Sequence, residues 1–557
     1  MTEEIRPFKR KAFIFSLDGA SFSLLEKIQK YNVIPFLSKL MESGSKGELE
    51  STNPPLTPTA WTSIFSGLNP GKHGIFDFIL QDANGNFNPI NSSFVDGKML
   101  WDHAGKAGKK VVILNQPITY PVHPVNGIIV SDHIFTPRRS NAYAYPENFI
   151  EVMESDIGRF KIFNNVTYAD NRIDAVLNDY FEELEYKMKA FEYIDNRLDW
   201  DLFILYFWSL DHIQHSMLHI LDDEHPKFNR SLHDRYMPAI LEYFKKLDST
   251  IQNIYLKVIE RSVVLFVSDH GLSGLAGFVH LNTWLLQKGY IRLLETPKVR
   301  IKKILFDIGF TPENMYKLAN RFFIFKQGMP MLSTSYNKLI GFVFLSFSDV
   351  NWNETIAFAK GNFSQIFLNR KRNNKSAIND KDILERLKND LLELTNEKGD
   401  ERIVDKVFLK HDIYTGDYTD SAQDILFYTK NYEYKALGTL DFNSNRSITD
   451  TFAITGHHNH SGIFICKGDG IKKSQHLQNL KDEDVFPTVL KILGIPVPKG
   501  IDGRIIKEIF ENQINETPET DKVDDTPSIP KTPKGQDIYS KEEKEDISKR
   551  LKDLGYM

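Results

Sequence analysis

A single cysteine in 557 residues leaves nothing to pair with, so Cys466 excludes an intrachain disulfide framework and any cysteine-based zinc cluster. It lies in the apolar run GIFIC, which predicts a buried structural thiol, not a nucleophile. Long apolar runs are also missing, and no stretch approaches the roughly 18 residues of a membrane span. The N-terminal MTEEIRPFKRKAFIFSLDG has one short apolar run that ends in Asp18 without a small-residue cleavage site, which argues against a secretory leader. Neither sign of charge dominates: 69 Lys and Arg stand against 74 Asp and Glu, for a net charge of −5, which gives no footing for a general nucleic-acid binder. GLNPGKHG lacks the spacing of a phosphate loop and the Ser or Thr after Lys72, so Lys72 and His73 are expected to orient the helix before them. No fixed-period repeat is present. What remains is a globular, cytoplasmic chain, 41% hydrophobic and 26% charged, long enough for roughly two to four domains.

What the chain does carry is a set of metal-binding side chains, most of them at the ends of apolar runs. AFIFSLDG brings up Asp18, LFILYFWSLDHIQH brings up Asp211 and His215, and VVLFVSDHG brings up Asp269 and His270. GHHNHSG adds His458, and PPLTPTAWTSIFSGLNPGKHGI carries Thr57. Taken alone, Asp18 before Gly19 could simply cap the next helix, and one loop histidine is ordinarily solvated. Buried strands that each run out into Asp or Asp-His are, however, how an α/β sheet presents ligands at its carboxyl edge. Asp211 and His215, four apart, share one face of a helix. Asp269 and His270 are adjacent at a strand end, where Gly271 lets the chain bend. Together they point to a two-metal hydrolase site. Asp18, Asp269, His270 and the Thr57 oxygen form one oxygen-rich set, and Asp211, His215 and His458 a more imidazole-rich one. Such ligands suit Zn²⁺, with Mn²⁺ or Fe²⁺ as alternatives, and argue against Ca²⁺. A second SDH, Ser131-Asp132-His133, lacks the following Gly and leads into FTPRR, so it is assigned to a loop.

Around these segments the pattern alternates strand and helix. Residues 1–289 are expected to form the first part of a catalytic core and 441–511 the second part, with an inserted cap over 290–440. Within the cap, the basic stretches KVRIKK and NRKRNNK stand out, although charge runs are usually solvated faces. The Pro-, Thr- and Asp-rich stretch 512–538 is expected to be a disordered linker. Over 539–557, Ser540 and Glu543 fit a capping box, Ile547, Leu551 and Leu554 share a face, and Gly555 supplies the stop. This tail helix is expected to dock on its own chain or on a partner.

LDGAS, the PPLTPTAWTSIFSGLNPGKHGIFDF block, DHIQH, SDHG and GHHNHSG together resemble the alkaline phosphatase superfamily, in its type I phosphodiesterase/nucleotide pyrophosphatase branch. Within that branch the chain is most similar to prokaryotic predicted phosphohydrolase/phosphomutase proteins, which also often end in a helix closing on Leu-Gly-Tyr. The resemblance implies an α/β fold with a central mixed sheet flanked by helices, two divalent metal ions, and a covalent phospho-threonine intermediate. Thr57 stands ten residues before Gly67, the spacing at which the superfamily places its nucleophile, and Thr59 is the alternative. A sulfatase would need Cys or Ser there. Where nucleotide pyrophosphatases carry an Asn that holds a phosphate oxygen, this chain has Phe78. The expected activity is metal-dependent hydrolysis of a phosphodiester or pyrophosphate, the substrate being a small phosphoester or a glycan- or lipid-linked phosphate. A phosphomutase or phosphotransferase would use the same intermediate, and a non-catalytic scaffold is the remaining class.

Overall fold

The computed structural model describes residues 11–81, 87–132, 134–138, 140, 142–158, 160, 166, 168–169, 172–321, 343–361, 363–372, 379–438, 442–451, 454–512 and 538–553. The expected linker falls almost wholly outside them, as do His133, Leu554 and Gly555. The chain divides into two compact units, one of residues 1–273, 414–419 and 453–555, the other of 274–413, 420–452 and 556–557.

The first unit is built on nine strands: β1 (Lys11–Leu17), β2 (Ser45–Glu50), β3 (Val111–Leu114), β4 (Gly127–Val130), β5 (Ala144–Tyr145), β6 (Leu202–Phe207), β7 (Ser262–Val267), β8 (Ser461–Lys467) and β9 (Leu480–Lys481). Their order across the sheet is β9-β2-β8-β7-β1-β6-β3-β4-β5. β7, β1, β6, β3 and β4 run parallel, while β8 and β5 are antiparallel to their neighbours. β2 is antiparallel to β8 and therefore points the same way as β1. KAFIFSL, LFILYF and SVVLFV read as near-continuous apolar runs because β1, β6 and β7 are central strands buried on both faces. The helical stretch between β6 and β7 is a crossover, and β1 lies between the two strands that it links.

Helices close the sheet: α1 (Phe22–Gln29), α2 (Pro35–Ser43), α3 (Thr57–Ser66), α4 (Ile173–Asp195), α5 (Ser209–Leu221), α6 (Arg230–Val258), α7 (Val485–Leu493) and α8 (Lys541–Asp553). Ser21 caps α1 by accepting from the Leu24 N–H, and Asp248 of α6 accepts from Phe36 N–H and Leu37 N–H at the start of α2. The tail helix α8 docks on its own unit. Ser540 and Glu543 form the reciprocal capping box, Ile547 and Leu551 are fully buried, and Arg550 donates to the carbonyls of Ile134 and Thr136. Among the described residues no helix is long and apolar enough to cross a membrane.

The second unit has its own core, including Val279, Leu285, Ile366 and Phe427. Its antiparallel sheet runs in the order Ala357–Ala359, Gln365–Leu368, Ile425–Thr429, Val404–Leu409. The basic stretches are largely occupied inside this unit. Lys302 is buried against Asp349, Arg370 makes a two-pronged pair with Asp424, Arg372 pairs with Asp380 and Lys303 with Asp307.

Candidate metal centre

Four of the strands deliver the cluster to one edge of the sheet. Asp18 follows β1 directly. Gly19 then turns the chain at φ +71°, and a Cβ there would stand 2.9 Å from the Asp211 Cα, so only glycine fits. β6 runs through Trp208 into α5, whose first turn carries Asp211 and whose next turn carries His215. β7 ends at Val267, one residue before Ser268-Asp269-His270. His458 precedes β8, which starts at this edge because it runs antiparallel to β7. Thr57 opens α3 beyond the same end of β2. All ten residues of α3 are buried, and Gly67 closes it in the left-handed conformation at φ +71°.

Three of these residues converge closely. His215 Nε2 and His458 Nε2 lie 2.8 Å apart, and each is within 3.4 Å of Asp211 Oδ1. His215 Nδ1 contacts the Gly456 carbonyl and His458 Nδ1 the Pro55 carbonyl, both at 2.9 Å. A carbonyl only accepts, so both Nδ1 atoms carry the proton, and the two Nε2 atoms turn their lone pairs toward each other. Two facing lone pairs repel. With a carboxylate beside them they form a donor set that a cation satisfies, and the Nδ1 bonds are the kind that fix metal-binding imidazoles.

A second group meets at His270. Its Nε2 lies 3.3 Å from Thr57 Oγ1, 3.3 Å from Asp269 Oδ2 and 3.6 Å from Asp18 Oδ1. One ligand atom from each of Asp18, Asp211 and His270 fits within 4.8 Å, so Asp211 belongs to both groups. Asp18 Oδ1 and Asp269 Oδ2 are buried and make no hydrogen bond. Burial pushes both carboxyls well above their usual range, with Asp211 adding to the rise at Asp18 and Asp18 to that at Asp269. Burial lowers His270 strongly and brings His458 down to about 4, so the imidazoles stay neutral. Acidic oxygens crowded without counter-charge beside neutral imidazole nitrogens are the chemistry of a divalent-metal site.

The structure therefore brings Asp18, Thr57, Asp211, His215, Asp269, His270 and His458 together. Asp132 is elsewhere, capping its own loop by accepting from Ile134 N–H and Phe135 N–H at 2.7 Å each. Thr59 Oγ1 is buried without a partner on α3. His73 accepts from the Ile75 N–H at Nδ1, which leaves Nε2–H to donate to Ser63 of α3, while Lys72 pairs with Asp502. Phe78 is fully buried and stacks on Phe135.

A model of the family described as type I phosphodiesterase/nucleotide pyrophosphatase matches residues 12–436. The chain belongs to that family. It is thus a phosphoester hydrolase of the nucleotide pyrophosphatase/phosphodiesterase type, as the motifs implied. No protein with a curated description matches it by sequence. Among solved structures it is similar to murine ectonucleotide pyrophosphatase/phosphodiesterase 5. An inactive form of that protein in complex with AMP shares 11% identity at a TM-score of 0.47, over 87% of this chain and 96% of that one. A second structure of the same protein shares 13% identity at a TM-score of 0.46, over 87% and 95%.

Two further groups support the Asp18 turn: Tyr206, outside every motif, and Gln214, within DHIQH. The Tyr206 hydroxyl donates to Asp18 Oδ2 from within β6, where an aromatic residue reads as core. Gln214 donates to the Gly19 carbonyl and holds the turn after Asp18. Side-chain alternation along β6 was the available signal for Tyr206, but it does not separate a packing ring from a donating one.

Proposed function

We propose that the chain is a two-metal phosphodiesterase or pyrophosphatase working through a phospho-Thr57 intermediate on a small-molecule phosphoester. The observation that carries this reading is the convergence of His215 Nε2 and His458 Nε2, 2.8 Å apart, on Asp211. With Asp211 they would hold one ion, and Asp18, Asp269, His270 and Thr57 the other. Zn²⁺ suits these ligands best, with Mn²⁺ as the alternative. When bound, the ions supply positive charge that acidifies a hydroxyl and neutralises phosphoryl oxygens.

The protein's own groups do the rest. Thr57 Oγ1 forms a bond to phosphorus as the bond to the leaving oxygen breaks, the hydroxyl proton passing to solvent and the leaving group taking one from it. Water then cleaves the phospho-threonine and restores the hydroxyl. The buried α3 holds Thr57 at the helix N-terminus, where backbone N–H groups favour the anionic phosphoryl group. His73 braces that helix through Ser63.

The test is hydrolysis of bis-p-nitrophenyl phosphate by purified variants. Thr57→Ala is expected to lower kcat by several orders of magnitude. Asp269→Ala and His458→Ala are expected to lose activity together with metal content, and Asp132→Ala to keep both. A fully active Asp269→Ala variant would overturn the ligand set.

A further inference from the structure

The helix that opens on Thr57 is gripped on both sides by one short loop. Between two stretches of the second unit, six residues, Tyr414–Thr419, belong to the first unit. Before α3 in the chain, the buried Tyr414 hydroxyl donates to the Asn53 carbonyl at 2.7 Å, and the Tyr414 ring packs edge-on against Phe76 at 5.2 Å. After α3, the Thr415 N–H donates to Asn69 Oδ1 at 3.2 Å and Asn69 Nδ2 donates to Thr415 Oγ1 at 2.9 Å. The Tyr418 N–H donates to the Gly71 carbonyl at 2.8 Å. Backbone meets backbone here: a Cβ on Gly71 would stand 2.5 Å from the Thr415 carbonyl oxygen.

The residues leading into Thr57 are tied to the metal centre as well. The Pro55 carbonyl accepts from Nδ1 of His458 at 2.9 Å. Asn53 Oδ1 meets His460 Nε2 at 3.1 Å, and the Ser51 N–H donates to the His460 carbonyl at 2.9 Å. Asn53 is therefore held through its side chain by the loop that supplies His458, and through its carbonyl by Tyr414. Asn53 stands four residues before Thr57. Each of those residues has two soft dihedrals, enough together to swing the Thr57 oxygen by about an ångström unless the backbone is pinned. In-line attack on phosphorus tolerates little of that, because the reacting atoms must be held about 3–3.5 Å apart and aligned.

We propose that Tyr414–Thr419 is a clamp that sets the approach of Thr57 Oγ1 to phosphorus, with the Tyr414 hydroxyl as its key contact. Tyr414 acts through the Asn53 backbone, so it is a positioning residue. The proposal rests on the phospho-Thr57 reading above.

Two variants loosen the clamp at its two ends. Tyr414→Phe removes the hydroxyl and keeps the ring against Phe76, and Gly71→Ala drives the Thr415 backbone away from the turn after α3. Hydrolysis of phosphorus-labelled bis-p-nitrophenyl phosphate is measured per folded, Zn²⁺-loaded chain, and acid-quenched samples are digested to locate label on α3. In both variants kcat is expected to fall about 10- to 100-fold, the scale of a displacement of about 1 Å. KM is expected to stay within about twofold, as when an interaction made only in the transition state is lost, and Zn²⁺ content to stay at the wild-type level. Both variants turning over like the wild type would overturn the clamp alone. Losses that merely follow missing metal or unfolded protein would overturn it too, since the loop would then support the structure and not the nucleophile. A wild type that hydrolyses the diester with no label on any threonine of α3 would overturn the phospho-Thr57 reading, and the clamp with it.

Discussion

Tyr206→Phe removes one oxygen and little else. The ring packs edge-on against Trp61 at 5.9 Å and 83°, a contact that phenylalanine keeps, so the core around β6 should be undisturbed. What disappears is the hydroxyl that donates to Asp18, whose other oxygen, Oδ1, has no hydrogen bond. A hydrogen bond to a charged group contributes about 1.5–3 kcal/mol. Its loss should weaken metal binding at the Asp18 position roughly 10- to 150-fold, in line with the cost of losing a partner of a metal ligand. His215 and His458 keep their own carbonyl bonds. The assay is a Zn²⁺ titration of the apoprotein against a chromophoric chelator, fitted to two classes of site. One class should weaken and the other should hold, while the apoprotein loses about 1–3 kcal/mol for the donor removed from buried Asp18. Equal weakening of both classes, or of neither, would refute the placement of Tyr206 behind one ion.

Two further outcomes follow from groups behind the site. Burial lowers His73 from 6.5 to about 3, and its Nδ1 accepts from the Ile75 N–H, so protonation would set two N–H groups against each other. A depressed pKa stabilises the fold fully above pH 6.5 and progressively less as pH falls toward 3. By pH 4.5 the loss from His73 should reach about 2–3 kcal/mol, and urea unfolding of His73→Gln should show a correspondingly smaller drop between pH 7 and 4.5. Arg550→Ala strips the donor from the buried carbonyls of Ile134 and Thr136, which should cost about 2–3 kcal/mol and free α8 for limited proteolysis. Unaltered proteolysis would mean that the tail is held by Ile547 and Leu551 alone.

Legibility from sequence followed chemistry that is local in the chain. Asp18, Asp269 and His270 were readable because each ends a run buried on both faces, and such a run has few places to go except the centre of a sheet. Asp269, not Asp132, joins the cluster, and Gly271, which set the two SDH segments apart in sequence, has no room for a Cβ beside Asn459 and Ser461. Three features were not readable, each depending on distant parts of the chain. Asp211 belongs to both ligand groups because β1, remote in sequence, inserts beside β6. Tyr206 and Gln214 reach Asp18 and the Gly19 carbonyl from remote parts of the chain, and no spacing rule along one segment encodes those contacts. The basic stretches of the second unit stand out in the sequence, but their acidic partners, up to 54 residues away in the case of Arg370 and Asp424, do not.

The central claim is that Thr57 carries the phosphoryl group, and its most direct test is to trap that bond. Metal-loaded enzyme mixed with a labelled phosphodiester, quenched in acid within one turnover and digested, should yield one labelled peptide containing Thr57, Thr59 and Thr62, with the label mapped by fragmentation to Thr57. Label on Thr59, or full turnover with no labelled peptide at any quench time, would contradict the account.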